Sequence, residues 1–527
     1  MATDDLTDDR RDGVTDRPRR DRSGSLEGAG GGAAGARTAA DPRSDAGPRT
    51  DAGLAADAVA LTAADPRSDA GPRSDADLGA DAVALTAANP GSDAGPRTDA
   101  DLGADAVALT AALVAIDSVN PGLVPGAAGE AAIVEHLRTR LRRAGFETHV
   151  VTPPGHPDRP SLVAIGPHGA ATPVDSTTDG TGTPGPTVVL TGHLDTVGVD
   201  GMTAPFEPRT DGDRLEGRGA CDMKGGVAAI VVAAEELARR GSPGRVVLAL
   251  VADEEDASLG TEAVLEALPG LGVRPDVAVI TEPTWLALAE TLRGYALVEV
   301  ELEGQAAHSS QPDLGVNAVA HLGRLLTAVE ERGREVAEHG GTMLVTLASG
   351  GESPFVLART ARALVERRTV PGETSDVALS EVQHLLVHLR LHDDTVRSRA
   401  RLVLARDSWR LDDTGPAADL GQALETALAV GAAPTAGPVP AAEPASAVPA
   451  AEPAPAVGPA LSAPERFHAP YWMEAPLWQA AGIPTLVCGP AGGGLHAADE
   501  WVDLHQVRRF TVALTDAVSQ WVAGRAH

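Results

Sequence analysis

His193 and Asp195 are separated by a single leucine, and Asp222, Glu254, Glu255, Glu282 and His496 follow at wide intervals along the same chain. Imidazole nitrogens and carboxylate oxygens are zinc ligands, and a carboxylate left off the metal can act as a general base toward water. His193 and Asp195, two apart at the end of a strand, point the same way, so the acid can orient the ring from behind. Asp222 lies between Gly217-Arg-Gly-Ala-Cys and Met-Lys-Gly-Gly. Glycines on both sides admit close backbone approach, and a short carboxylate there can bridge two ions. Glu254 and Glu255 are adjacent and face different directions, which suits one ligand and one base. Glu282, in Thr-Glu-Pro-Thr, adds a carboxylate, and His496, in Gly492-Gly-Gly-Leu-His-Ala-Ala-Asp-Glu, adds a second imidazole. Two zinc ions held by such a set, with cobalt as a substitute, would polarise a carbonyl and acidify water, and the base would carry the proton to a leaving nitrogen. Singly these are weak signals, because adjacent glutamates are usually a solvated face and a lone histidine is usually structural. Their recurrence after successive strands, in glycine-rich segments, carries the reading.

Such side chains need a sheet whose strand ends come together. Thr187-Val-Val-Leu-Thr reads as a buried strand leading to His193, Arg245-Val-Val-Leu-Ala-Leu-Val as one leading to Glu254, and Asp276-Val-Ala-Val-Ile as one leading to Glu282. Helices are predicted over 131–144, with Leu137 and Leu141 on one face, and over 226–239. This alternation predicts an α/β fold with a mostly parallel, buried sheet whose functional groups lie at the carboxyl ends of the strands. From Tyr295 the pattern changes to an alternating strand with one wet face. A helix over 316–332, strands at 342–348 and 361–367, a helix over 375–389 and a strand at 401–405 follow. This β-α-β-β-α-β order predicts an inserted α+β, ferredoxin-like unit. The catalytic sheet is expected to resume at 420–429 and to end with a strand at 484–488, followed by a helix over 507–523. The expected division is a catalytic domain in two parts, 108–292 and 407–527, around a unit at 293–406. An Ala/Pro-rich insertion at 432–464, with Pro-Ala-Ala-Glu-Pro repeats, reads as a polyproline-like or disordered loop.

The 527 residues suggest two or three domains. No aromatic residue precedes Phe146, and the first quarter is largely Ala, Asp, Gly, Arg, Pro, Ser and Thr, too little apolar area to offset chain entropy. Asp41-Pro-Arg-Ser recurs at Asp65 and as Asn89-Pro-Gly-Ser, a period of 24 residues (65 less 41, and 89 less 65). Each copy ends in a version of Asp-Ala-Val-Ala-Leu-Thr-Ala-Ala, at Asp57, Asp81 and Asp105. With about one apolar helical turn per copy, broken by Asp-Pro and Gly-Pro, a solenoid is discounted. Residues 1–107 are expected to be a disordered repeat tail, with the repeats copied outward from the first helix of the folded part. The net charge of −31 argues against nucleic acid and anionic membrane as partners. Two cysteines, Cys221 and Cys488, form no disulfide framework, which points to a reducing cytoplasm. The first residues lack the apolar stretch of a signal peptide, and the longest apolar run, around 226–234, is too short to span a membrane.

Gly-His-Leu-Asp-Thr, Gly-Arg-Gly-Ala-Cys-Asp-Met-Lys-Gly-Gly, Asp-Glu-Glu, Thr-Glu-Pro-Thr and Ala-His-Ser-Ser-Gln-Pro-Asp-Leu-Gly-Val-Asn-Ala occur in that order. They resemble the co-catalytic zinc family of acetylornithine deacetylase, succinyl-diaminopimelate desuccinylase, aminoacylase and carboxypeptidase G, over about residues 108–527 apart from the insertion. The resemblance implies one zinc on His193 and Glu282, a second on Glu255 and His496, and Asp222 bridging them. It implies that Asp195 supports His193, that Glu254 is the general base and acid, and that a cis peptide follows Asp222. It also implies that 293–406 is a lid and dimerisation unit. His308 of that unit would stabilise the oxyanion, typically in the other subunit's site, and Asn317 and Arg368 would contact substrate. Arg368 fits a structural ion pair equally well. The chain departs from the family where Gly350-Gly351 is followed by Ser353-Pro-Phe-Val-Leu-Ala. Phe355 takes the place of an asparagine that helps to hold substrate, which suggests a more apolar acyl or side-chain pocket. The expected activity is hydrolysis of an N-acyl amino acid by a homodimer. The alternatives are a di- or aminopeptidase of the same mechanism, and a binding protein that kept the fold and lost the chemistry.

Overall fold

A computed structural model describes residues 97–167, 185–430 and 466–525. The first two repeat copies and the 432–464 insertion lie outside the described residues. The third copy is the exception. Its Asp-Ala-Val-Ala-Leu run is part of the helix Asp99–Val114, capped by Thr98, whose side chain accepts from the Asp101 N–H while the Asp101 carboxylate takes the Thr98 N–H. Leu102, Ala106, Leu109 and Leu113 are buried on it. The boundary expected at 107/108 therefore cuts through a packed helix, because the i, i+4 apolar spacing begins at Leu102.

A six-stranded sheet runs in the order Glu147–Val151, Ser161–Ile165, Arg245–Val251, Thr187–His193, Val277–Ile280, Thr485–Val487. The last four strands are parallel, and the first two add an antiparallel edge that the sequence reading had not anticipated. The parallel strands are buried almost throughout, as expected of a sheet covered on both faces. Helices Asp99–Val114, Gly225–Arg239 and Pro416–Val430 each pack against Leu504–Arg525. Residues 420–429 belong to the third of these helices and not to the sheet; Leu420, Leu424 and Leu428 are buried at four-residue spacing, a helical period.

Residues 294–406 build a second sheet with its own apolar core. Its antiparallel order is Thr342–Gly350, Thr360–Thr369, Gly294–Glu303, Arg397–Arg406. Gly294–Glu303 alternates strictly, with Ala296, Val298, Val300 and Leu302 facing inward. Helices Ala318–Glu338 and Val377–His392 bury Leu325, Val329, Val382 and Leu386 against that face. The β-α-β-β-α-β order is as read from the sequence. No helix among the described residues is long and apolar enough to cross a membrane.

Candidate metal centre

Sheet register brings the ligand candidates together. His193 ends its strand opposite Val251, and Thr191 pairs with Ile280, so His193, Glu254 and Glu282 emerge at one level. One donor atom each from His193, Glu254 and Glu282 lie within 4.8 Å of one another, as do donors from His193, Asp222 and Glu255. Asp222 sits between two imidazoles. Its Oδ1 is 3.0 Å from His193 Nε2, and its Oδ2 is 3.3 Å from His496 Nε2. His193 Nε2 is 3.9 Å from Glu282, and His496 Nε2 is 3.0 Å from Glu255. The peptide after Asp222 is cis, as the resemblance implied. Gly226, in the first turn of the following helix, lies against the strand end; a Cβ there would run into the Thr281 carbonyl oxygen.

The electrostatics suit a bound cation. Burial, followed by neighbouring charge, raises the affinities of Glu254, Glu255 and Glu282 for a proton. Bonds to Asp222 and Glu255 push His496 up to about 10. Burial opposes the charged form of His193, yet the Asp222 bond and the nearby glutamates hold it well above its ordinary value. Glu255 Oε1 is buried with no hydrogen-bond partner among the described residues. Crowded carboxylates facing two imidazoles, with an orphaned buried oxygen, form a donor set that can hold divalent metal ions.

Asp195 lies against the His193 ring and also holds the neighbouring loop. The His193 ring Nδ1 is 3.0 Å from the Asp195 backbone oxygen and 3.7 Å from its carboxylate. That carboxylate also accepts the N–H groups of Glu254 and Glu255, at 3.1 and 3.2 Å, and an Asn120 amide hydrogen at 2.8 Å. It anchors the loop that carries the two glutamates.

His308, Asn317 and Arg368 share no hydrogen bond or ion pair with the cluster among the described residues. His308 is exposed, bridges Val356 and bonds Ser310 Oγ through Nδ1 at 2.8 Å. Asn317 caps Ala318–Glu338 by accepting the Val319 N–H at 3.1 Å. Arg368 pairs with Glu366 at 2.5 Å and lies 5.1 Å over the Tyr295 ring.

Sequence reading missed the buried groups behind the ligands. Glu500, only four residues after His496, accepts hydrogen bonds from Arg218 and from the N–H groups of Gly219, Cys221 and Asp222. Arg159 pairs with Glu130 at 2.6 Å and with Asp253 at 2.7 Å, with all three side chains buried. Glu500 ends the glycine-rich Gly492-Gly-Gly-Leu-His-Ala-Ala-Asp-Glu segment, and that position is its signal in the sequence. Arg159 and Glu130 lie in loops with no patterned signal.

An α/β sheet with carboxylates and imidazoles converging at its strand ends, beside an antiparallel α+β unit, defines a metallohydrolase class. Residues 189–520, more than half of the sequence, match the model of Peptidase family M20/M25/M40, and the chain belongs to that family. Acetylornithine deacetylase of Myxococcus xanthus is 32% identical over 253 residues, 46% of this chain and 62% of that protein. A succinyl-diaminopimelate desuccinylase of Rhizorhabdus wittichii is 30% identical over 262 residues, 47% of this chain and 64% of that protein. These matches thus span less than two thirds of the relatives' length. A tripeptidase of Staphylococcus aureus superposes with a TM-score of 0.58 at 15% identity, over 81% of this chain and 100% of that one. A metallo-carboxypeptidase of the same family from Sulfolobus solfataricus does so with a TM-score of 0.57 at 14% identity, over 80% and 99%. Likenesses this distant bear on the fold alone.

Proposed function

We propose that this chain hydrolyses the amide bond of an N-acyl amino acid with two zinc ions, and that N-acetylornithine is the first substrate to try. The observation that carries the reading is Asp222, with one oxygen toward His193 and the other toward His496. His193 and Glu282 would hold one ion, Glu255 and His496 the other, and Asp222 both. When bound, the ions would polarise the scissile carbonyl and acidify the attacking water. Glu254, kept close by the Asp195–backbone bonds, takes the proton of that water and delivers it to the amide nitrogen, leaving a carboxylate and an amine. His308, carried on the inserted unit, would donate a hydrogen bond to the oxyanion. Asn317 and Arg368 would contact the substrate once that unit closes. A cytoplasmic homodimer, in which the inserted unit of one subunit completes the site of the other, belongs to the same proposal.

The test is metal analysis of the purified protein together with a panel of N-acetyl and N-succinyl amino acids and dipeptides. Two zinc or cobalt ions per chain and turnover of N-acyl amino acids support the reading. Turnover of dipeptides alone selects a di- or aminopeptidase. Metal-loaded protein that hydrolyses none of the panel overturns the proposal in favour of a binding role.

A further inference from the structure

The turn that follows the first helix, Ser118-Val-Asn-Pro-Gly, is wedged between the two loops that carry the site. Val119 pairs with Thr196, the Asn120 N–H donates to the Thr196 oxygen at 2.9 Å, and the Thr196 N–H donates to the Ser118 oxygen at 3.0 Å. On the other side a Cβ on Gly122 would collide with the Asp256 carboxylate, so the turn lies directly against residues 253–256. Asn120 itself is fully buried. Its Nδ2 is 2.8 Å from Asp195 Oδ2 and 3.1 Å from Asp253 Oδ1, one hydrogen for each carboxylate. Its Oδ1 accepts the Gly122 N–H at 2.8 Å. Every polar atom of the amide but one lone pair is thus committed, and a flipped amide would aim its oxygen at two anions.

Both carboxylates it joins hold the loop of Glu254, Asp253 as a member of that loop and Asp195 from the neighbouring strand end. Asp195 takes the N–H groups of Glu254 and Glu255. Asp253 is the preceding residue, held in a left-handed backbone conformation (φ 69°), and its carboxylate also takes Arg159 at 2.7 Å and the Leu259 N–H at 3.3 Å. A neutral double donor is what this position requires. An acid would bring a third negative charge between two others, and a hydroxyl could satisfy only one of them.

We propose that Asn120 is a positioning residue for the Glu254–Glu255 loop, acting through Asp195 and Asp253. The kinetic part of this inference rests on Glu254 being the general base; the positional part does not. The test compares the full-length chain with Asn120→Ala and Asn120→Ser. Metal content, steady-state kinetics on an N-acetyl amino acid, and hydrogen exchange of peptides covering 252–258 and 496–503 are measured. In metal-loaded Asn120→Ala, kcat should fall about 10- to 100-fold with KM changed less than about threefold, as expected of a displaced catalytic group. Amide exchange at Glu254 and Glu255 should accelerate while the 496–503 peptide stays unchanged. Asn120→Ser, which keeps one donor, should fall between the two, and it carries the test if the alanine variant does not fold. Natural kcat and unchanged exchange in a folded, metal-loaded variant would overturn the proposal. If the natural chain turns over no amide, the proposed function fails, and the exchange comparison alone still decides the role of Asn120.

Discussion

Glu500 accepts the backbone N–H of Asp222 at 3.0 Å, and through it the loops that carry Asp222 and His496 are tied together. The same carboxylate takes the Cys221 N–H at 2.9 Å, the Gly219 N–H at 2.8 Å and Arg218 at 2.6 Å, while its own loop carries His496. In Glu500→Gln an amide –NH2 must face backbone donors, which leaves buried donors without an acceptor and Arg218 without its counter-ion. The expected cost is about 3 kcal/mol of stability and a loss of roughly 10- to 100-fold in metal affinity. Urea unfolding of the metal-free protein and chelator competition for zinc measure the two. An unchanged zinc affinity would show that the loops find their places without Glu500.

Glu254 and Glu255 should separate cleanly. The carboxylate of Glu254 clusters with His193 and Glu282, and that of Glu255 with His193 and Asp222, so proximity to the imidazole does not distinguish base from ligand. If Glu254 is the base, Glu254→Gln keeps its metal and loses at least about 100-fold in kcat. Glu255→Gln should instead lose metal, because among the described residues His496 then retains only Asp222 as a close carboxylate partner. Elemental analysis alongside kcat reads both, and metal loss in Glu254→Gln would make Glu254 a ligand.

The convergence of His193, Glu254 and Glu282 was legible because each follows a strand whose apolar run is visible in the sequence: Val188–Leu190 before His193, Val246–Val251 before Glu254, Val277–Ile280 before Glu282; Asp222, in the turn Ala220–Lys224, follows no such run. Period and composition expose such strands, and register then does the convergence. What was not legible depends on long-range burial. Nothing local to Asn120, Arg159 or Glu474 says that its side chain meets carboxylates or a hydroxyl far away in the chain. Residues 420–429 were misplaced for a related reason. A short Ala/Leu run fits a buried strand or a buried helix, and only the packing of Leu420, Leu424 and Leu428 decides between them.

Glu474 gives the stability a pH dependence of known sign. Burial pushes its carboxyl up to about 7 from an ordinary 4.5, against the opposing bond from Thr261, and its Oε1 has no partner among the described residues. The folded state therefore holds this proton more tightly than the unfolded chain. Its contribution is intact below about pH 4.5 and is lost as pH rises through about 7. The loss is on the order of 3 kcal/mol. Glu474→Gln, neutral throughout, should match the natural chain at pH 5 and be more stable at pH 8, as measured by urea unfolding of the chelator-stripped protein. Equal stability at pH 8 would mean that the carboxyl ionises freely.

Phe355 is 67% exposed on the inserted unit, and its carbonyl accepts the Ser309 N–H next to His308 at 2.9 Å. An exposed ring beside the proposed oxyanion donor suits an apolar acyl group. Phe355→Asn should lower the kcat/KM ratio of a long acyl chain over acetyl by roughly tenfold. An equal loss on both substrates would put the ring outside the acyl pocket.

Two truncations test where the packed chain begins. Removing residues 1–96 leaves Thr98 to cap the first helix and Arg97 to pair with Asp105 at 2.8 Å. Removing residues 1–107 takes the cap, the ion pair and Asp105 itself, which also binds Arg140 at 2.8 Å. It also strips the fully buried Leu102 and Ala106 from the contact with the last helix. One buried leucine is worth about 2–5 kcal/mol, so the longer deletion should be less stable than the shorter by more than about 3 kcal/mol, with Arg140 and Glu235 left as a two-member pair. The two deletions differ only in residues 97–107, so their midpoints in urea isolate this segment. Matching midpoints would mean that the third repeat copy, despite its burial, contributes nothing to the core it packs on.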